Sequence, residues 1–327
     1  MPGAPMRSVE VVALGGGHGL AASLQALRRV TPHLTAVVGV SDDGGSSGRL
    51  REEFGIVPPG DLRMALAALC GDDTWGSTWA RVLQHRFSSK GELDGHSLGN
   101  LLITALWEET DDLVEGLEWV ARLLDAKGKV LPLCIEPLEI FADVLTTNGK
   151  VDKVRGQVQV ATTPHEIQAI GLEPANPAVC EQAVAAVRNA DFVVLGPGSW
   201  YTSVLTHFQV PQMAQALHET TAARILVINL RPQSGETEGY SAASYLEVLA
   251  KSYPDFRVDV VLADIDHVGQ DKSGKNLRLE KLATASGAKL VLAPLASTNG
   301  PSDQHDPALL ASAFSSIFAH GRINPWQ

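Results

Sequence analysis

Leu34-Thr35-Ala36-Val37-Val38-Gly39-Val40 runs directly into Ser41-Asp42-Asp43-Gly44-Gly45-Ser46-Ser47-Gly48-Arg49-Leu50-Arg51. The first run is apolar and rich in β-branched residues, which suits a buried strand. Beyond it, two adjacent carboxylates and a flexible, hydroxyl-bearing glycine loop stand where that strand would end. Open α/β sheets bind ligands in the crevice beyond the carboxyl ends of their strands. Glycines let backbone N–H groups come close to an anion, and Ser46, Ser47 and Arg49 add donors. Asp42 and Asp43 are suited to ribose hydroxyls, or to a Mg²⁺ shared with a diphosphate. A solvated Gly/Ser turn with an Asp cap is the plain alternative. It loses ground because the strand-then-glycine-loop pattern recurs twice more.

Upstream, Val9 to Leu14 is a short apolar run ended by Gly15-Gly16-Gly17-His18-Gly19, with a helical pattern from Leu20 to Val30. Gly17 to Ala22 fits the G-x-G-x-x-G/A fingerprint, and Asp42 and Asp43 close the next strand, the layout of a dinucleotide site. Gly15 already ends the strand, so that register is late. The firmer expectation is a phosphate or diphosphate at a helix N-terminus. His18 points either at the ligand or to solvent.

Downstream, Pro58-Pro59-Gly60 precedes Asp61, which reads as the N-cap of a helix through Cys70, with Arg63 one turn inside and able to reach a phosphate. Helical patterns continue at Trp75–Phe87, Ser97–Glu109 and Leu113–Asp125, an insertion suited to capping one end of the sheet. In Gly95-His96-Ser97-Leu98-Gly99-Asn100, His96 and Asn100 share one helix face, as a base or sugar reader or as a cap with His96 exposed. Val130–Ile135 reads as a strand. Asn148-Gly149 marks a hairpin between Asp143–Thr147 and Lys150–Val154, and Gln157–Ala161 reads as a further strand of a small antiparallel appendage.

Strict alternation then returns. Helices Pro177–Asn189, Gln212–Glu219, Ser241–Ser252 and Arg278–Ser286 precede strands Phe192–Leu195, Ile225–Leu230, Arg257–Leu262 and Lys289–Ala293, and a last helix covers Pro307–Phe318. Such alternation indicates a parallel sheet covered on both faces. The expected fold is a three-layer α/β/α, doubly wound, Rossmann-like domain spanning 1–327, with a helical insertion at about 61–125. Two more loops follow strands here. Gly196-Pro197-Gly198-Ser199, continuing through Tyr201, Thr202 and Ser203, makes another anion or sugar cradle. Asn229, with Gln233 to Gly239, offers Glu236 to sugar hydroxyls or forms a plain connection. Asp264-Ile265-Asp266-His267 has no partner ligand that can be named and reads as a solvated loop.

The net charge of −11 argues against a nucleic-acid surface or an anionic membrane, so phosphate must be held by amides, helix starts and a few local arginines. Cys70, Cys134 and Cys180 lack metal-ligand spacing and read as small buried hydrophobes in a reducing compartment. Met1–Ser8 lacks the apolar core of a signal peptide, and no run approaches a membrane span. The G-x-S-x-G elbow, the P-loop and H-E-x-x-H are all missing. No metal site is expected from side chains alone.

Taken in order, Gly15-Gly16-Gly17, Asp42 to Gly48, Pro58 to Asp61, Gly95-His96 with Gly99-Asn100, Gly196 to Ser199, Tyr201 to Ser203, and Gly235-Glu236-Thr237 resemble the YvcK/CofD-like family. The resemblance covers about Val9 to Leu295. It implies a nucleotide-binding fold. For the YvcK branch, the gluconeogenesis factors, it implies a cytoplasmic regulatory binder of UDP-sugars such as UDP-N-acetylglucosamine or UDP-glucose, linked to carbon metabolism, cell shape and wall synthesis. The CofD branch implies the alternative, a 2-phospho-L-lactate transferase of coenzyme F420 synthesis. A homodimer is compatible with either. The chain departs from the YvcK pattern at His18, Met64, Trp200, Thr206-His207 and Arg231 to Ser234, so nucleotide binding carries over more safely than the identity of the sugar.

Overall fold

The computed structural model describes residues 9–269, 275–297 and 303–323. In chain order the elements are β1 (Glu10–Gly15), α1 (Gly17–Leu27), β2 (His33–Val38), α2 (Gly45–Phe54), α3 (Gly60–Leu69), α4 (Thr74–Gln84), α5 (Leu98–Thr110), α6 (Leu113–Leu124) and β3 (Lys129–Pro132). Then come β4 (Glu139–Leu145), β5 (Val151–Arg155), α7 (Gln157–Ala161), β6 (Glu166–Glu173), α8 (Glu181–Asn189) and β7 (Phe192–Leu195). The last stretch holds α9 (Pro211–Glu219), β8 (Ala223–Val227), α10 (Ala242–Ser252), β9 (Val260–Asp264), α11 (Ile265–Gly269), α12 (Lys275–Ala285), β10 (Lys289–Ala293) and α13 (Pro307–Ile323).

Seven strands form one parallel sheet in the order β10-β9-β8-β7-β1-β2-β3. All of β7 and β9, and all of β1 after Glu10, is buried, as strands covered on both faces must be. That is why the sequence shows continuous apolar runs and not alternation. From β1 the chain moves through β2 to β3. From β7 it moves the other way, to β8, β9 and β10. Right-handed crossovers therefore place helices on opposite faces. Helix α1 packs between α3 and α13, while α8 packs on α9 and α10 on α12. The expected three-layer, doubly wound architecture is met.

The appendage is also present, with a correction. The β4–β5 hairpin turns at Asn148-Gly149, but the third strand is β6, which pairs with β4. Gln157–Ala161 is the helix α7 and not a strand. Its alternating Gln-Val-Gln-Val pattern mimics a strand, yet five residues tied at both ends by tertiary contacts are free to coil. A second correction concerns the Gly/Ser loop after β2. From Gly45 onward it is the first turn of α2. Glycine and serine are poor helix formers in the interior but common where helices begin.

Candidate functional site at the switch point

The strand order reverses between β1 and β7, so the crevice of the sheet opens at their carboxyl ends. Two glycine turns meet there. A Cβ on Gly19 would lie 2.2 Å from the Pro197 carbonyl oxygen and 2.4 Å from the Gly198 Cα, so these backbones touch only because Gly19 has no side chain. The first turn reaches α1 through Gly17, at φ +57°, where glycine is favoured. No side chain caps α1 at Gly16, and its first turn holds no acid. The Gly17 N–H at its start lies at the Asp61 carboxyl, and His18 stands exposed beside it. Gly15, Gly16, Gly17 and Gly19 lie together where β1 passes into α1.

The second turn is different. Both polar atoms of the Gly198 peptide unit face Asn229. Its N–H donates to Asn229 Oδ1 at 2.8 Å, and its carbonyl accepts from Nδ2 at 2.8 Å. Ser199 Oγ accepts from Gln233 Nε2. Trp200–Val204 is a single π-helical turn whose Thr202 N–H donates to Glu236 Oε2 at 3.2 Å. Burial pushes the Glu236 carboxyl up to about 7 against the pull of the Thr202 and Trp200 N–H groups. The Tyr201 hydroxyl pairs with that of Tyr240 at 2.6 Å. Within the segment from Gly196 to Thr202, expected as an anion or sugar cradle, the Gly198 and Thr202 N–H groups are engaged by Asn229 and Glu236. Those two residues hold the turn.

Asp42 and Asp61 line the acidic side. A Cβ on Gly16 would sit 2.4 Å from Asp61 Oδ2, and one on Gly60 2.7 Å from Asp42 Oδ2. Asp61 is not the helix cap that its position after Gly60 suggests. The cap position of α3 is Pro59, without a side-chain bond. Its carboxyl instead turns to the first glycine turn. Burial first, then the charge of Asp42, raises it to about 7, opposed by the Gly17 N–H and Arg63. Asp42, bonded to the Gly44 N–H at 3.0 Å, is also raised, chiefly by burial and partly by Asp43. Among the described residues no three His, Cys, Asp or Glu side chains form a metal cage. A cation on Asp42 and Asp61 would draw its other ligands from phosphate and water.

Asp43 faces away from this pair. Its oxygens accept the N–H groups of Gln157 and Val158 at 2.9 and 3.0 Å, so it caps α7 and ties the appendage to the sheet. Of the glycines around it, Gly48 is the one that close packing requires. A Cβ on Gly48 would collide with the Asp43 carbonyl, Gly44 is the cap position of α2, and a Cβ on Gly45 would meet open space. Ser47 accepts from the Gly60 N–H. Ser46, Arg63, His96 and Asn100 form a buried polar chain between α2, α3 and α5. Arg63, 4% exposed, also bonds to Gln84, and burial lowers its guanidinium to about 10. It braces α5 through Asn100 and stands close enough to Asp61 to favour its charged form. His96 is buried, not an exposed cap residue.

Sequence reading missed the N–H groups of α7 as partners of Asp43, because the segment scans as a strand. It also missed Asp264, expected in a solvated loop. Asp264 is buried at the end of β9, bonded to the Leu295 and Ala296 N–H groups and to His267 Nδ1 at 2.8 Å. These bonds, the one from His267 foremost, hold its carboxyl at about 2 although burial opposes them. The signal was present in Asp-x-Asp-His after an apolar run.

Residues 11–290 match the family described as 2-phospho-L-lactate transferase CofD. The chain belongs to the CofD family. Within this CofD-like group, a protein of Mycobacterium tuberculosis named "Putative gluconeogenesis factor" is 48% identical over 312 residues, covering 94% of this chain and 90% of the relative. A gluconeogenesis factor of Halalkalibacterium halodurans is 37% identical over 244 residues, 75% of this chain and 74% of the relative. A crystal structure of a UPF0052-family protein from Bacillus halodurans superposes with a TM-score of 0.82 at 31% identity, covering 94% of this chain and 99% of that one. The YvcK/CofD-like family expected from the motifs is therefore the family of this CofD-like chain. No helix among its described residues is long and apolar enough to cross a membrane.

Proposed function

We propose that this protein binds a nucleoside diphosphate sugar at the β1–β7 crevice and releases it unchanged, as a regulatory binder. The observation that carries this reading is the glycine-built start of α1 at the switch point, with Asp61 at its Gly17 N–H and Asp42 beside it. The helix start would take the diphosphate. A Mg²⁺ on the two carboxylates would neutralise it, and cation binding would lower both carboxyl pKa values by charge attraction. UDP-N-acetylglucosamine or UDP-glucose is the ligand class that the YvcK resemblance implies. The gluconeogenesis-factor names of the relatives support a role in carbon metabolism. Cell shape, wall synthesis and a cytoplasmic setting rest on the resemblance alone. The three cysteines are buried with thiols pushed up by burial, so none is poised as a nucleophile.

Titration calorimetry with UDP-N-acetylglucosamine, with and without Mg²⁺, tests the reading. Expected are Mg²⁺-assisted binding, its loss in Asp61→Asn, and recovery of intact nucleotide sugar after overnight incubation. Failure of UDP-N-acetylglucosamine, UDP-glucose and GDP alike to bind would refute it. A second reading, phospholactyl-type transfer, is favoured by the family description and by Asp61, whose carboxyl near neutrality is able to exchange a proton. Multiple-turnover release of a nucleotide with a deazaflavin acceptor would establish that reading instead.

A further inference from the structure

Asp264, held ionised at the end of β9, has only lone pairs to offer. Its Oδ2 accepts the Leu295 and Ala296 N–H groups, and its Oδ1 accepts those of Asp266 and His267, each at 2.9 Å. These four bonds fasten β9 to the start of α11 and to the chain beyond β10. They account for the buried carboxylate without any ring. Yet His267 Nδ1 lies 2.8 Å from the same Oδ1. A carboxylate can only accept, so Nδ1 carries the hydrogen, and the neutral ring keeps a lone pair on Nε2. The Asp264 side chain is 2% exposed and that of His267 24%. The open part of the ring is therefore the edge turned away from the carboxylate, which bears Nε2. Nε2 has no partner among the described residues.

His267 and Asp264 line a cavity of about 190 Å³, together with Asn229, Tyr240, Ser241 and Tyr245. Those four side chains are engaged within the protein: Asn229 with Gly198, Tyr240 with Tyr201, Ser241 with Ser244 and Tyr245 with Thr237. Asn229 and Leu230 also border an opening of about 390 Å³ beside His18, Gly19 and Gly198, so the two spaces share a wall at the switch point. A cavity of about 150 Å³ takes benzene, so this one has room for a single sugar ring and not for a whole nucleotide. A free lone pair accepts from a hydroxyl and has nothing to offer a phosphate oxygen, and the carboxylate behind the ring strengthens it as an acceptor. Resting on the proposed binding of a nucleotide sugar, we infer that Asp264 orients His267 so that its Nε2 accepts a hydroxyl of that ligand's ribose or hexose. Asp264 is a positioning residue, and His267 makes the contact.

Long-range ¹H–¹⁵N spectra of the free protein at pH 8 read the ring directly. His267 is expected with a protonated Nδ1 and an unprotonated Nε2, and a protonated Nε2 overturns the assignment. Calorimetry then tests the contact. His267→Gln sets an amide oxygen near the Nε2 position, whereas His267→Phe keeps a ring without an acceptor. For UDP-N-acetylglucosamine the Gln variant should stay within about threefold of wild type, while the Phe variant should lose roughly tenfold, the scale of one lost hydrogen bond. Equal affinities of the two variants overturn the contact. A loss in the Phe variant that persists with UDP assigns the hydroxyl to the ribose, and a loss confined to UDP-N-acetylglucosamine assigns it to the hexose. If wild type binds no nucleotide sugar, the proposed function and the hydroxyl contact fall together, while the spectra still decide how Asp264 orients the ring.

Discussion

The two glycine turns at the crevice look alike in sequence and differ in how their donors are used. Each follows a buried strand, and each leads into a helical turn. The turn after β1 has no side-chain cap of its own at Gly16, and its Gly17 N–H lies at the Asp61 carboxyl beside the crevice. The turn after β7 has its N–H groups occupied by Asn229 and Glu236, and its role is that of a wall. A glycine-rich loop is therefore a phosphate cradle only if its amides remain unpaired after folding. Glycine content reports how closely a backbone can approach, and hydrogen-bond accounting reports what it can still bind.

The largest effect should come from forcing the turns apart. Gly19→Val sets a side chain against the backbone of Pro197 and Gly198 and should cost about 3 kcal/mol or more of stability, together with all nucleotide-sugar binding. Urea unfolding and calorimetry would show it. A stable, binding-competent Gly19→Val protein would mean that the turns do not meet.

Glu236→Gln sharpens the comparison through pH. The folded carboxyl, at about 7, lies above its ordinary 4.5, so between those values the folded protein holds a proton that the unfolded chain has lost. Stability from this group is thus highest below about pH 4.5 and declines as pH rises through 7. At pH 8 Glu236→Gln should be more stable than wild type by on the order of 1–2 kcal/mol, with little difference at pH 5. Asp61 should add a similar decline, removed in Asp61→Asn. Melting temperatures across this range test both. Wild-type stability that rises steadily from pH 5 to 8 and is unaltered by either substitution would contradict the burial of these carboxyls.

Asp42 and Asp43 should separate by assay. Asp43→Ala removes the cap of α7 and should cost about 1 kcal/mol while keeping Mg²⁺-assisted binding. Asp42→Asn should keep stability and lose the Mg²⁺ effect. The reverse pattern would exchange their roles. The smallest effect belongs to Gly45→Ala. With open space around it and φ +50°, only backbone strain of about 1 kcal/mol is expected.

Most of the sheet was legible because parallel strands buried on both faces need unbroken apolar runs. Phe192–Leu195 and Lys289–Ala293 end where the sequence places them. Helix starts were less legible. Serine and glycine at 44–48 serve a loop and a first helical turn equally well, and α7 carries a strand-like alternation. Both are settled by contacts far away in the chain, Asp43 with Gln157 and Ser46 with Asn100.

By itself the sequence determined the doubly wound sheet, the family, and the set of loops gathered at the carboxyl ends of the strands. Periodicity and strand-end glycines are local properties, and they survive without knowledge of the fold. Tertiary structure decided which members of that set remain free. Asp43, Asn229 and Glu236 are bound to backbone N–H groups or carbonyls brought to them by folding, whereas Asp42 and Asp61, though each also takes a backbone N–H, keep further lone pairs for a ligand beside the start of α1. That division depends on long-range pairing of donors with acceptors, which no local pattern encodes.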